Sequence, residues 1–208
     1  MVPKIVCVLK SGGDYSPEYV EKLRCGVEKH YRASYEFLCL TDFPPEQFHC
    51  QTIRLEKNLP GWWSKLEIFQ FTAPTLYFDL DTVITDDIEP LSHLFREGDF
   101  YMISPWGRAS LADNIGGSGV MLWEGDFSFL LREFNYDLMN KYRLGGDQRY
   151  ISKRFAELGI KQKYIQDKFD GLVSYKLEIL TGSYRGHPHI VCFHGHPRPH
   201  EVGAPWWS

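Results

Sequence analysis

The first forty residues restrict the fold more than any other part of the sequence. Residues 4–10 (KIVCVLK) are rich in Val and Ile, which is typical of a buried strand. The segment SGGDYS breaks this strand, and Ser16 before Pro17 predicts a helix over residues 17–30. Residues 34–40 (SYEFLCL) predict a second strand. A strand, a helix and a strand in this order form a βαβ unit, which predicts parallel strands.

Strands and helices continue to alternate along the rest of the chain. Further strands are predicted at residues 51–55, 75–81, 99–104, 117–124 and 187–195. Helices are predicted over residues 64–71 with Ser64 as the cap, over 126–142, and over 146–159 with Asp147 as the cap, and residues 87–95 predict a turn and a short helix. We therefore predict a single α/β domain over residues 1–208, with a mostly parallel central sheet flanked by helices.

Charge and cysteine content exclude several classes of protein. The 208 residues carry a net charge of -4 without any basic run, so no nucleic-acid partner is expected. The N-terminus does not have the pattern of a secretory signal, and no apolar run is long enough for a transmembrane segment. The five cysteines lack CxxC spacing, which indicates reduced thiols. We expect a cytoplasmic protein.

Two acidic residues interrupt the apolar stretch TLYFDLDTVITDDIEPL. Asp79 and Asp81 stand one residue apart, so in an extended strand both point to one face and Leu80 points into the core. Two carboxylates this close repel each other unless they share a cation or a proton, and oxygen donors suit Mn²⁺ or Mg²⁺. The alternative is that the two acids cap the next turn or pair with Arg or Lys. The residues alone favour the two interpretations about equally.

The C-terminal segment FHGHPRPHE offers further ligands. His194 follows the apolar strand IVCF as Asp79 follows TLYF, so it completes a metal site if the two strands end together. Arg198 lies between two prolines, which stiffen its backbone, and it could clamp a diphosphate. The remaining histidines of this region are interpreted as a solvated tail: His187, His189, His196 and His200.

Taken in order, six short segments resemble the glycogenin-like glycosyltransferases, which include bacterial lipopolysaccharide galactosyltransferases. The matching segments are KIVCVLKSG, SKLEIF, LYFDLDTVITDDIEPL, NIGGSGVMLW, GGDQRYI and FHGHPRP. Each motif is weak, and their shared order over nearly the whole chain makes the resemblance fairly specific. It implies a GT-A, Rossmann-like nucleotide-sugar-binding domain. Residues 1–110 would mainly bind nucleotide and metal, and residues 111–208 would mainly bind sugar and acceptor.

The resemblance also implies a role for individual residues. Asp79, Asp81 and His194 would hold Mn²⁺ or Mg²⁺, although Cys192 occupies the position where the family usually has its histidine. The residues implied at the donor sugar and the reacting carbon are Lys65, Asp147 and Gln148. The residues implied in binding the nucleotide and its diphosphate are Val8, Leu9, Lys10, Ser11, Tyr15, Leu80, Gly195 and Arg198.

The expected activity is transfer of a hexose from a nucleotide-sugar, most simply a UDP-sugar, to a glycan, lipid or protein acceptor. Family members retain anomeric configuration, so retention is expected. One alternative is a catalytically inactive nucleotide- or sugar-binding module. A sugar nucleotidyltransferase is a second, but SGGDYSPEY lacks the long basic Gly-rich loop that such an enzyme requires. A His/Asp metal hydrolase is a third and weaker one.

Overall fold

A computed structural model describes residues 1–203, without the side chains of residues 108 and 109. The strands are β1 (Lys4–Leu9), β2 (Glu36–Thr41), β3 (Gln51–Arg54), β4 (Thr75–Phe78), β5 (Thr82–Ile84), β6 (Phe100–Ile103), β7 (Gly117–Trp123), β8 (Lys163–Tyr164), β9 (Leu172–Ser174) and β10 (Ile190–Cys192). Seven of them form one sheet with the order β3-β2-β1-β4-β7-β6-β8. Within this seven-stranded sheet of the described residues, β7 alone runs antiparallel to its neighbours. The predicted α/β fold with a mostly parallel sheet is confirmed.

Helices flank this sheet. The α-helices are α1 (Pro17–His30), α2 (Arg108–Asp113), α3 (Phe129–Arg132), α4 (Tyr136–Lys141) and α5 (Gly146–Leu158). Short 3-10 helices span Pro45–Gln47, Gly61–Gln70, Glu89–Leu94, Ile165–Asp167 and Pro199–Glu201, and a π-helical turn spans Tyr175–Ile179. None of the helices between residues 1 and 203 has the length and apolarity that a membrane crossing requires.

Alternating side chains of the sheet supply two hydrophobic layers. Ile5 and Leu9 of β1 pack in a layer with Leu23 of α1, whereas Val6 packs in the opposite layer with Phe155 of α5. The period of two residues in a strand explains this alternation, since neighbouring side chains point to opposite faces. The sheet is therefore buried on both sides, as its near-continuous apolar strands predict.

The smaller sheet places the C-terminal segment beside the end of β4. It has the order β5-β10-β9, with β10 antiparallel to β5 and parallel to β9. Because β5 begins directly after Asp81, β10 brings its own end to the same place: the backbone N–H of Phe193 donates to the carbonyl of Asp81 at 3.0 Å. His194 is thus carried to the acidic turn by backbone pairing.

Three predicted helices differ from the structure. The segment predicted to begin at Ser64 is a 3-10 helix that begins at Gly61, and the Ser64 hydroxyl donates to the carbonyl of Gly61 at 2.8 Å instead of capping a helix start. The helix predicted over residues 126–142 is divided into α3 and α4, because Asn135 accepts a hydrogen bond from the backbone of Leu138 and starts a new helix.

The third difference concerns the residue that caps the last predicted helix. Helix α5 begins at Gly146, so Asp147 lies inside its first turn and is not the cap. Residues 204–208 of the predicted domain lie outside the described residues. The division into a nucleotide half and a sugar half stays a prediction.

Candidate active site

The two acidic residues of the DxD segment lie in a turn. Strand β4 ends at Phe78, so Asp79 and Asp81 do not continue the strand as predicted. The N–H of Asp79 still pairs with β7, donating to Gly119 at 2.7 Å, and the N–H of Thr82 then closes the turn on the carbonyl of Asp79 at 3.0 Å. Leu80 is buried in the core, as predicted. The turn keeps both carboxylates out of the apolar layers and places them on the wall of a cavity.

Lys65 joins Asp79 to the start of α5. Its ammonium lies 2.9 Å from Asp79 Oδ1 and 3.1 Å from Asp147 Oδ2, with 7% of the side chain exposed. It also donates to Ser118 Oγ at 3.1 Å. Burial lowers the pKa of Lys65, but Asp147 and Asp79 outweigh this and raise it, so Lys65 stays charged. The three residues form a compact charged cluster on the sheet.

Asp81 is held from the other side by the C-terminal segment. Arg198 donates to Asp81 Oδ2 at 2.9 Å and to Asp14 at 2.8 Å, and it contacts the hydroxyl of Tyr15. The Tyr15 hydroxyl itself donates to Asp81 at 2.8 Å, and the guanidinium lies 4.7 Å from the centre of its ring. Both acids are thus paired with a cation, which was the alternative to a metal in the sequence interpretation.

The carboxylate of Asp81 is costly to ionise in this environment. Burial and the neighbouring Asp79 raise the pKa of Asp81 to about 6, against the opposing effects of Tyr15 and Arg198. The two predicted acids are therefore near enough to interact, and a further cation between them would relieve their repulsion.

Asp147 and Gln148 lie in the first turn of α5, where two glycines shape the backbone. Gly145 and Gly146 have φ angles of 121° and 63°, which side-chain-bearing residues rarely adopt. Asp147 is buried because its carboxylate turns inward to Lys65. This ion pair is the physical reason why it does not serve as the predicted cap.

His194 stands at the same cavity but is not brought into a metal-ligating group. Its Nε2 lies 2.6 Å from the hydroxyl of Ser174, and its ring packs against Trp106 with centroids 5.4 Å apart. Burial and Lys176 lower the pKa of His194, which favours the neutral imidazole that metals bind. Among the described residues, no three His, Cys, Asp or Glu side chains form a group able to hold a metal ion. Ligation by His194 stays a prediction.

Two cavities meet at this cluster. A cavity of about 560 Å³ is lined by all six of the predicted metal and sugar residues: Lys65, Asp79, Asp81, Asp147, Gln148 and His194. A cavity of about 600 Å³ contains most of the predicted nucleotide residues: Val8, Lys10, Ser11, Tyr15, Leu80, Gly195 and Arg198. Lys65 and Asp79 line both. Leu9 is the predicted nucleotide residue that does not line the second cavity, because alternation along β1 turns its side chain into the core.

Several residues of the site were missed by the sequence interpretation. Asp14 pairs with Arg198, and Ser118 with Lys65. Asp42, at the end of β2, accepts from the backbone of Ser11 at 2.8 Å and pairs with Lys10. A usable signal existed for Asp42, because parallel neighbours β1 and β2 end at the same edge of the sheet.

Solved structures share this architecture. GlyE, a glycosyltransferase of Streptococcus pneumoniae TIGR4, matches with a TM-score of 0.66 and 14% identity, over 95% of this chain and 56% of GlyE. The galactosyltransferase LgtC, solved in complex with donor and acceptor sugar analogs, matches with a TM-score of 0.64 and 12% identity, over 99% of this chain and 92% of LgtC. The chain has a GT-A glycosyltransferase fold. The fold expected from the sequence resemblance is confirmed.

The chain is similar to these proteins in structure but not closely in sequence. No protein-family model matches the chain, and no curated protein matches it. The chain spans a little over half of GlyE, at 56% of its length. At these identities the likeness establishes the GT-A fold, and the activity has to be argued from the site itself.

Proposed function

We propose that this GT-A protein is a metal-dependent glycosyltransferase that moves a hexose from a UDP-sugar to a glycan, lipid or protein acceptor. The observation that carries the proposal is the position of Lys65. It pairs with Asp79 and Asp147 at the border between the two cavities. The diphosphate and the sugar of one donor molecule would meet there, since the nucleotide residues line one cavity and Gln148 lines the other.

The donor set on the cavity wall suits Mn²⁺ or Mg²⁺. Two carboxylates from one turn and a neutral imidazole are ligands that hard divalent ions accept, and all three residues line the same cavity. Asp79, Asp81 and His194 would hold the ion. A bound divalent ion supplies positive charge that stabilises the departing diphosphate.

The protein side chains do the remaining work. Arg198 lines the nucleotide cavity, and its guanidinium is paired with Asp81. If Arg198 exchanged Asp81 for a phosphate of the donor, it would add a second positive charge beside the leaving group. Lys65 holds Asp147 in place, and Gln148 follows it on the wall of the sugar cavity. We assign Asp147 and Gln148 to the hydroxyls of the sugar.

Retention is what the sequence resemblance implies, and the pairing of the carboxylates bears on the route by which it would occur. Asp79 and Asp147 are paired with Lys65, and Asp81 is paired with Arg198. None of these three is an unpaired carboxylate of the kind that forms a covalent sugar intermediate. A front-face reaction fits this arrangement, with the leaving phosphate taking the proton of the acceptor hydroxyl.

Turnover of a donor panel tests the proposal. The protein is incubated with UDP-glucose, UDP-galactose and UDP-N-acetylglucosamine in the presence of a panel of mono- and disaccharide acceptors. Each mixture contains Mn²⁺ or excess chelator, and released UDP is measured. We expect release from at least one donor with Mn²⁺ only, with an α-linked product from an α-linked donor by NMR. Release in chelator, or an inverted product, would contradict the metal or the retaining assignment respectively.

The ion pairs of Asp79 and Asp81 favour a second candidate, a nucleotide- or sugar-binding module without activity. Asp79 already pairs with Lys65 and Asp81 with Arg198, so each of these two acids has a charge partner without a metal. The same panel separates the candidates, since a binding module would bind UDP-sugars and release no UDP from any of them.

A further inference from the structure

An exposed tryptophan stands where the two cavities meet. Trp62 lines both of them, together with Lys65 and Asp79, yet 59% of its surface is exposed. Large apolar side chains left open at a cavity junction are typical of ligand contacts, because their burial by a ligand contributes binding free energy. Trp62 has no assigned role in the function proposed above.

The position of the indole is fixed by the start of α5. A Cβ atom placed on Gly146 would lie 3.1 Å from Trp62 Nε1, so the ring packs closely on the glycine that precedes Asp147. Gly61, at a φ of 52°, begins the 3-10 helix that carries Trp62 and, one turn later, Lys65. The ring and the charged cluster are therefore held by the same two elements.

The neighbours of Trp62 indicate which part of a nucleotide-sugar it contacts. The predicted nucleotide residues Val8, Lys10 and Ser11 lie in the 600 Å³ cavity only, whereas Trp62 shares both cavities with Lys65. The sugar is the part of the donor that spans the junction, since it connects the diphosphate to the acceptor. A hexose has an apolar C–H face that fits the flat surface of an indole, and its hydroxyls face the polar side chains around it.

We propose that Trp62 is a specificity-determining residue that packs against the C–H face of the transferring hexose. This inference rests on the proposed glycosyltransferase function and adds a contact that selects the donor by its sugar. The indole would favour hexoses with one flat apolar face and would disfavour donors whose axial hydroxyls point into the ring.

The test compares binding of UDP with binding of UDP-hexoses. Calorimetry with Mn²⁺ measures UDP, UDP-glucose and UDP-galactose on wild type, Trp62→Ala and Trp62→Phe. We expect Trp62→Ala to weaken the preferred UDP-hexose by about tenfold, as the loss of one aromatic contact predicts, and to leave UDP nearly unchanged. Trp62→Phe should recover part of the loss. Tyr136→Ala is the matched control, because Tyr136 is 70% exposed in a separate groove.

Each other outcome contradicts the inference in a distinct way. Equal weakening of UDP and UDP-hexose would place Trp62 on the nucleotide or on the structure of the loop, and no weakening would remove it from the donor site. A wild-type protein that binds neither UDP nor any UDP-hexose would overturn the proposed function and this inference with it.

Discussion

Asp79 and Asp81 are one residue apart, but different regions of the molecule neutralise them. Asp79 is held by Lys65, which belongs to a 3-10 helix packed on the seven-stranded sheet and reaches a second acid, Asp147. Asp81 is held by Arg198, which follows the small sheet and also reaches Asp14. The Lys65 region is locked between buried elements, whereas the Arg198 region is attached to the site through side chains of a C-terminal segment.

This difference assigns different tasks to the two cations. Loss of Lys65 would leave two acids without their charge partner inside the fold, so Lys65 is part of the structure as well as the site. Under the proposed function, Arg198 would exchange Asp81 for a phosphate while it keeps Asp14 as a partner. The predictions below set the two regions against each other.

The largest expected effect is that of Asp81→Asn on turnover. The amide cannot replace a carboxylate on a divalent ion, so we expect UDP release to fall by about 100-fold or more. The fold should persist, because Arg198 keeps Asp14 as a partner and the repulsion from Asp79 is removed. Asp137→Asn, at an exposed position of α4, is the control. A large loss of stability in metal-free Asp81→Asn would instead favour a purely structural role.

Substitution of the two cations should separate the two regions by stability. Lys65→Met leaves Asp79 and Asp147 unpaired beside the sheet, and we expect the free energy of unfolding to fall by about 3 kcal/mol. Arg198→Gln should cost about 1 kcal/mol, because its partner Asp14 is exposed and Asp81 keeps the hydrogen bond from Tyr15. Urea unfolding of both variants measures this. Equal losses would show that the C-terminal segment is as firmly built in as the 3-10 helix.

The fold was largely predictable, since near-continuous apolar runs marked the buried strands and Ser16–Pro17 marked α1. The turn at Asp79–Asp81 was not, because the apolar run TLYFDLDTVI continues on both sides of it and alternation alone does not reveal where the chain turns. The pairing of Arg198 with Asp81 was also beyond sequence reasoning. It depends on β10 joining β5, a contact between segments far apart in the chain.

The small sheet offers two candidates for the third metal ligand, His194 and Cys192. Cys192 lines the same cavity as His194 but is buried in β10, and burial raises the pKa of its thiol well above the ordinary value, which disfavours a thiolate ligand. We expect His194→Ala to raise the Mn²⁺ concentration for half-maximal activity by about tenfold. Cys192→Ala should cost only packing, measured as a lower melting temperature. The opposite pattern would exchange the two assignments.

The smallest expected effect concerns an exposed counterpart of the Lys65 cluster, the pair of Asp42 with Lys10. Burial alone raises the pKa of Asp42, but Lys10 and Ser11 outweigh it and lower the pKa to about 2. A depressed carboxyl pKa stabilises the fold above the unfolded-state value and loses that contribution as the pH falls towards 2. Asp42→Asn should therefore cost about 1 kcal/mol at pH 7 and nearly nothing at pH 2. An equal cost at both pH values would contradict this.

The central claim is that Asp79 and Asp81 bind a diphosphate through a divalent cation, and thermal stability with UDP tests it most directly. A ligand that binds only the native state raises the melting temperature by mass action. We predict that UDP with Mn²⁺ stabilises wild type, that UDP in excess chelator does not, and that Asp81→Asn abolishes the difference. Equal stabilisation by UDP with Mn²⁺ and in chelator would show that Lys65 and Arg198 bind the diphosphate alone, and would contradict the account.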